Sequence, residues 1–212
     1  MPDTPLPLPT VSPKQALQRL IDGNQRFRNA DVAGTARPWS SEMAKGQRPF
    51  AIILGCSDSR TPVEIVFDQG FGDLFVVRVA GNIVAPSIVG SIEFAASQFE
   101  SGLVVVMGHT RCGAVTATVR ALLTGENHVS KNIRSITDRI SPHIRSLVKK
   151  DVMVGDSAIR EAVRANVRAS ADHLRHGSSI LEDLVMSGKL AVVCAEYELE
   201  TGAVTFFDAL PE

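Results

Sequence analysis

The chain has 212 residues, with 22 Lys+Arg against 23 Asp+Glu, a formal net charge of -1, and 44% hydrophobic residues. That is enough apolar material for one cored α/β domain, and the even charge balance argues against a basic nucleic-acid footprint or a polybasic membrane patch. Three cysteines are too few, and odd in number, for a disulfide framework; they fit metal-binding or buried thiols in a reducing compartment.

The N-terminal MPDTPLPLPT has no charged n-region and no apolar h-region, so no secretory signal is expected. The longest apolar runs are strand-sized rather than bilayer-sized, and a soluble cytoplasmic protein is the expectation. Residues 1–11 read as a proline-rich, extended or disordered tail, and 12–212 as a single domain whose first part, 12–45, is a helical arm. Ser12-Pro13 opens the arm's helix, with Ser as N-cap and Pro in the first turn. Leu17, Leu20 and Ile21 form an apolar stripe that Phe27 extends, and the stripe needs either the main domain or a second subunit to cover it.

Beyond the arm, strand and helix signals alternate. Short apolar runs at 50–55 (FAIILG), 73–79 (DLFVVRV) and 103–108 (LVVVMG) read as buried strands. Helices are expected at 86–99, opened by Pro86, and at about 114–123, 133–149, 157–174 and 180–187, the last ended by Gly188. Leu190 to Tyr197 and Ala203 to Phe207 are the final strands, joined by a turn at Thr201-Gly202. Continuous apolar strands separated by helices imply a mostly parallel sheet of 4–5 strands covered on both faces, with an antiparallel hairpin at one edge.

Two segments carry chemistry, each directly after a strand. One is Cys56-Ser57-Asp58-Ser59-Arg60, the other His109-Thr110-Arg111-Cys112-Gly113. The carboxyl ends of neighbouring strands in an open α/β sheet face one crevice. Should the two strands be neighbours, Cys56, His109 and Cys112 converge there: two thiolates and an imidazole, a good zinc set that leaves a fourth position open. His109 and Cys112 are expected in the first turn of a helix, whose N-terminus favours the thiolate. Taken singly, each of these residues reads as ordinary core, as Cys194 does inside its apolar strand. Asp58 and Arg60, two residues apart, form a candidate pair in which Arg60 grips the carboxylate with two parallel hydrogen bonds. Asp58 is then either an acceptor for a metal-bound hydroxide or itself a fourth ligand that closes the site.

At these residues the sequence resembles the β-class carbonic anhydrases. The likeness rests on CSDSR at 56–60 and HTRCGAV at 109–115. It is strengthened by GNQRF at 23–27, EIVFD at 64–68, GDLFVVR at 72–78, AGN at 80–82 and GSIE at 90–93. The resemblance implies one Zn2+ per chain on Cys56, His109 and Cys112, an Asp58–Arg60 dyad, and hydration of CO2 to bicarbonate by attack of a zinc-bound hydroxide. It implies substrate contacts at Gln47, Phe75, Ala80, Phe94 and Gly113, with Gln47 donating a hydrogen bond to substrate and the apolar residues lining a CO2 pocket. Phe94 stands where a Tyr is frequent. It also implies a homodimer or a dimer of dimers, with the active cleft at the subunit interface. Some members bind inhibitory bicarbonate beside a Trp three residues before the first zinc Cys; Ile53 stands there, although the basic partner, Arg78, is present.

Because two thiolates cancel the zinc charge, activity is expected to rise on the alkaline side. His128, His143, His173 and His176 are proton-relay candidates by residue type alone, and each reads equally as a surface or helix-packing histidine. Three rivals stand beside this reading: hydrolysis of CS2 or COS at the same site, a purely structural zinc, and a thiol redox protein. The absence of any CxxC weakens the last.

Overall fold

Five runs rich in β-branched and apolar residues form strands, and those at 51–55, 103–109 and 191–197 bury both faces. In the computed structural model the five form one sheet in the order β2-β1-β3-β4-β5. Residues 11–31, 39–125, 130–148 and 155–208 are described. The strands are β1 (Ala51–Gly55), β2 (Leu74–Arg78), β3 (Leu103–His109), β4 (Ala191–Tyr197) and β5 (Val204–Phe207). The first four are mutually parallel and β5 returns antiparallel to β4, as the sequence predicts. Strands β1, β3 and β4 are buried along their whole length.

Helices are α1 (Pro13–Arg28), α2 (Val63–Val66), α3 (Pro86–Gln98), α4 (Gly113–Thr124), α5 (Lys131–Ile144), α6 (Asp156–His176) and α7 (Ser179–Met186). They divide the core in two. One cluster joins Ile52, Leu54, Val104, Val106, Val192 and Cys194 to α3–α7, and the other joins Ile53, Val105, Met107 and Val193 to α1 and α2. Cys194 is fully buried, as read from its apolar strand. No helix among the described residues is long and apolar enough to cross a membrane.

In the arm, the helix α1 stops at Arg28 and a 3-10 turn covers Ser41–Lys45; residues 32–38 lie outside the described residues. The predicted start holds: Gln15 N–H donates to Ser12 Oγ at 3.3 Å and Ser12 N–H donates back to Gln15 Oε1 at 3.0 Å. The stripe divides. Leu20 is fully buried on the protein's own domain, whereas Ile21 stays 40% exposed. Gly23 permits the close approach, because a Cβ there would stand 1.9 Å from the Phe67 carbonyl oxygen. Asn24 then ties α1 to two elements, donating to the Val66 and Gly202 carbonyls (3.1 and 2.9 Å) and accepting from Val204 N–H (2.9 Å). The short α2 and two 3-10 turns, Ala80–Asn82 and Arg145–Leu147, carry too little period to be read in advance. The proposed tail, from residue 1 to 10, and His128 lie outside the described residues.

Candidate metal centre

Register decides whether the two chemical segments meet. β1 and β3 are hydrogen-bonded neighbours with Gly55 opposite Met107, so the residue leaving β1, Cys56, reaches the sheet end beside His109. His109 is the last residue of β3, and Cys112 is the N-cap of α4 rather than a residue of its first turn. The expected helical spacing of the pair is therefore corrected: a tight turn with Arg111 at φ 57° brings them together. Cys56 Sγ, Cys112 Sγ and an imidazole nitrogen of His109 lie within 4.8 Å of one another, and all three residues are buried.

Hydrogen bonds prepare these atoms for a cation. His109 Nδ1 lies 2.9 Å from the Thr110 carbonyl, which can only accept, so Nδ1 carries the proton and Nε2 presents a lone pair. That Nε2 is buried and has no hydrogen-bond partner among the described residues. Leaving such an atom dry costs about 1–3 kcal/mol unless something ligates it. Cys56 Sγ accepts the Gly81 N–H at 3.3 Å. The Cys112 thiol, as donor to Cys56, pulls the Cys56 pKa down to about 4 against the opposing effect of burial, with backbone N–H groups assisting. The same pairing, with burial, pushes Cys112 up. Two sulfurs sharing one proton beside an orphaned imidazole nitrogen fit a borderline-soft metal ion of the zinc type.

The loops are braced from behind. Arg78, at the end of β2, donates from Nε to the Cys56 carbonyl (2.9 Å) and from Nη2 to the Asp58 carbonyl, while Thr61 Oγ1 donates to Asp58 O at 2.9 Å. Thr110 N–H donates to Tyr197 O (3.0 Å). Thr110 Oγ1 accepts from Leu199 N–H and donates to Glu200 Oε2, both at 3.0 Å; Glu200 also pairs with Arg111 at 2.7 Å. None of these bracing roles was read from the sequence. A lone Arg closing an apolar strand was the available signal for Arg78.

Asp58 and Arg60 meet as expected. Arg60 Nε donates to Oδ1 at 2.9 Å and Nη2 to Oδ2 at 2.7 Å, and the Arg60 backbone N–H adds a third bond to Oδ1 at 3.0 Å. This grip holds the carboxyl well below the usual carboxylate range. Asp58 Oδ2 stands 3.9 Å from His109 Nε2, beside the three donors and not among them.

The remaining expected contacts are distributed. Phe75 and Phe94 come together with ring centroids 6.4 Å apart, and Phe99, which sequence reading missed, packs on both at 5.9 and 5.7 Å. Ala80 precedes the Gly81 that reaches Cys56. Gly113 opens α4, and a Cβ there would meet nothing within 4 Å. Gln47 is exposed and makes no hydrogen bond among the described residues. His143, His173 and His176 are exposed on α5 and α6, away from the three donors. An open groove of about 1080 Å³ beside α4 is lined by Arg111, Gly113, Arg120 and Glu200 among others, but by none of Cys56, Asp58, His109, Phe75 or Phe94.

A sequence profile described as carbonic anhydrase matches residues 51–204. Carbonic anhydrase 2 of Mycobacterium tuberculosis is 36% identical over 207 residues, covering 95% of this chain and 96% of its own. The carbonic anhydrase of Mycolicibacterium smegmatis is 38% identical over 203 residues, covering 93% and 94%. The crystal structure of the β-carbonic anhydrase CafA of the fungus Aspergillus fumigatus aligns with a TM-score of 0.67 at 28% identity, covering 80% of each chain.

Proposed function

We propose a zinc-dependent, reversible hydration of carbon dioxide from one premise: the chain belongs to the β-class carbonic anhydrases. It is accordingly a carbonic anhydrase, a lyase. The residues and the metal are our assignment, and one observation carries it. A buried His109 Nε2 without a partner faces two buried thiols within 4.8 Å, and an ionised carboxylate stands 3.9 Å away.

In this reading Cys56, His109 and Cys112 hold one zinc ion. When bound, zinc acts as a Lewis acid that makes hydroxide available from water near neutral pH. Asp58 accepts a hydrogen bond from the O–H of the nucleophile and so turns a lone pair toward the carbon of CO2. Arg60 fixes that aim from the far side of the carboxylate, since both of its side-chain bonds go to Asp58. Phe75, Phe94 and Ala80 provide an apolar wall that favours CO2 over water, and Gln47 donates to a substrate oxygen. We assign Gly113 to the substrate side through its backbone at the start of α4.

A homodimer is part of the same proposal. β2 is one of the two edge strands of the sheet, and Phe71 and Phe94 near it are 60% and 54% exposed. A second copy laid along this edge covers both rings. The test is metal analysis with stopped-flow CO2 hydration from about pH 6.5 to 9. About one zinc per chain and hydration that rises with pH support the reading. Bound zinc with no hydration across that range overturns it.

A further inference from the structure

The turn at Ala80–Asn82 is unusual in its backbone and its company. Gly81 (φ 69°) and Asn82 (φ 42°) are consecutive residues in the left-handed region, which a non-glycine residue enters only when its surroundings compel it. At Gly81 a Cβ would stand 2.8 Å from Ile140 Cδ1 and 3.1 Å from Ala114 Cβ, so glycine is needed for space as well as for φ. The turn's carbonyls are taken up by α6. Asn166 Nδ2 donates to Gly81 O at 2.8 Å and Ser170 Oγ donates to Asn82 O at 3.0 Å, both buried. The helix comes this close because β3 carries glycine at 108; a Cβ there would stand 2.6 Å from Val167 and 2.8 Å from Val163.

What the turn presents on its other side is the Gly81 N–H, 3.3 Å from Cys56 Sγ. The geometry points to Asn166 as a positioning residue for the metal centre: from α6 it holds the Ala80–Asn82 turn so that the Gly81 N–H donates to the Cys56 sulfur. An N–H bond to a ligating sulfur draws charge from it and fixes its direction, which tunes metal affinity and the energy of the sulfur-to-metal transition. Asn166 touches neither metal nor substrate; it acts through Gly81. This inference rests on the reading of Cys56 as a metal ligand.

Cobalt(II) tests it, because a thiolate–cobalt charge-transfer band reports the sulfur directly. The wild-type protein is loaded with cobalt(II) and compared with Asn166→Ala, Ser170→Ala and Leu174→Ala. The last leaves a cavity in the same helix farther from the turn. Affinity is measured by competition with a chelator, and folding by circular dichroism. Asn166→Ala is expected to shift the band and to weaken cobalt and zinc binding about 10–100-fold. Ser170→Ala is expected to move both in the same direction by less, and Leu174→Ala to leave both at the wild-type value while lowering thermal stability. An Asn166→Ala protein with wild-type band and affinity overturns the inference, as does Leu174→Ala moving the band equally. If Asn166→Ala does not fold, Ser170→Ala decides alone, and an unchanged band there overturns it. A wild-type protein that binds cobalt without any thiolate band instead overturns the ligand reading on which the inference stands.

Discussion

Replacing Arg60 with alanine separates charge from aim in the Asp58 pair. The guanidinium supplies two of the three N–H bonds on the carboxylate; the backbone N–H of residue 60 survives the change. Asp58 Oδ2 then loses its 2.7 Å partner, and the carboxylate is free to turn about its side-chain bond. Arg60 is the largest cause of the lowered Asp58 pKa, so the carboxyl moves up toward the ordinary value of about 3.9, still about three units below neutrality. At pH 7 Asp58 therefore stays ionised and only its direction is lost. Misplacement of a catalytic group by about 1 Å costs on the order of 10²-fold, or about 2.7 kcal/mol of transition-state stabilisation. We expect kcat/KM for CO2 hydration to fall ~10²-fold in Arg60→Ala, with zinc content unchanged and no new acid limb above about pH 5. Because the Arg60 side chain is 53% exposed and its ion pair is screened by solvent, folding stability should change little. Arg60→Lys, with the charge but not the fork, should fall between. Stopped-flow hydration across pH reads the rate and the limb in the wild type and both variants, and metal analysis and urea unfolding read zinc content and stability. Retention of kcat/KM within ~3-fold, or a further acid limb that the wild type lacks, would refute the reasoning.

Metal binding at neutral pH should release one proton per ion. The paired apo thiols share a single proton at neutral pH, with Cys56 lowered to about 4 and Cys112 raised. Affinity should then climb about tenfold per pH unit between roughly pH 5 and 8, and calorimetry in buffers of different ionisation enthalpy counts the proton. Release of no proton would contradict the shared-proton pair; a second proton at alkaline pH would come from water rather than from the thiols. Cys56→Ser should deplete zinc, whereas Cys194→Ala should keep a full complement, because Cys194 is a core thiol raised to about 12 chiefly by burial. Leu20→Ala should cost ~2–5 kcal/mol in urea unfolding, since that side chain is fully buried on its own domain. Ile21→Ala, at the half-exposed neighbouring position, should cost less than ~1 kcal/mol in the monomer; equal losses would mean that the arm does not pack as described.

Strand and helix types were legible because burial on two faces demands long apolar runs, and in β1, β3 and β4 polar residues come only at or next to the carboxyl end, as His109 and Glu196 do. Most boundaries moved by a residue or two, the helix expected over 133–149 ended at Ile144 in a 3-10 turn, and the shift that mattered for function was that His109 belongs to β3 and Cys112 caps α4, a turn that no periodicity encodes. The short α2 and the left-handed Ala80–Asn82 turn were invisible for the same reason. The arm's stripe was visible, but its division between Leu20 and Ile21 depended on the closeness that Gly23 permits against Phe67.

By itself the sequence determined which atoms were available for chemistry: two thiols, an imidazole and a carboxylate–guanidinium pair, each in a polar segment following an apolar strand. Only the tertiary structure decided how those atoms present themselves. The β1–β3 register sets Cys56 beside His109, the Thr110 carbonyl chooses the imidazole nitrogen that carries the proton, Arg78 reaches Cys56 from 22 residues away in sequence, and Asn166 reaches Gly81 from 85. Donor type belongs to a residue and travels with it along the chain. Lone-pair direction and hydrogen-bond partner arise from strand register and helix approach, which come into being when distant segments pack.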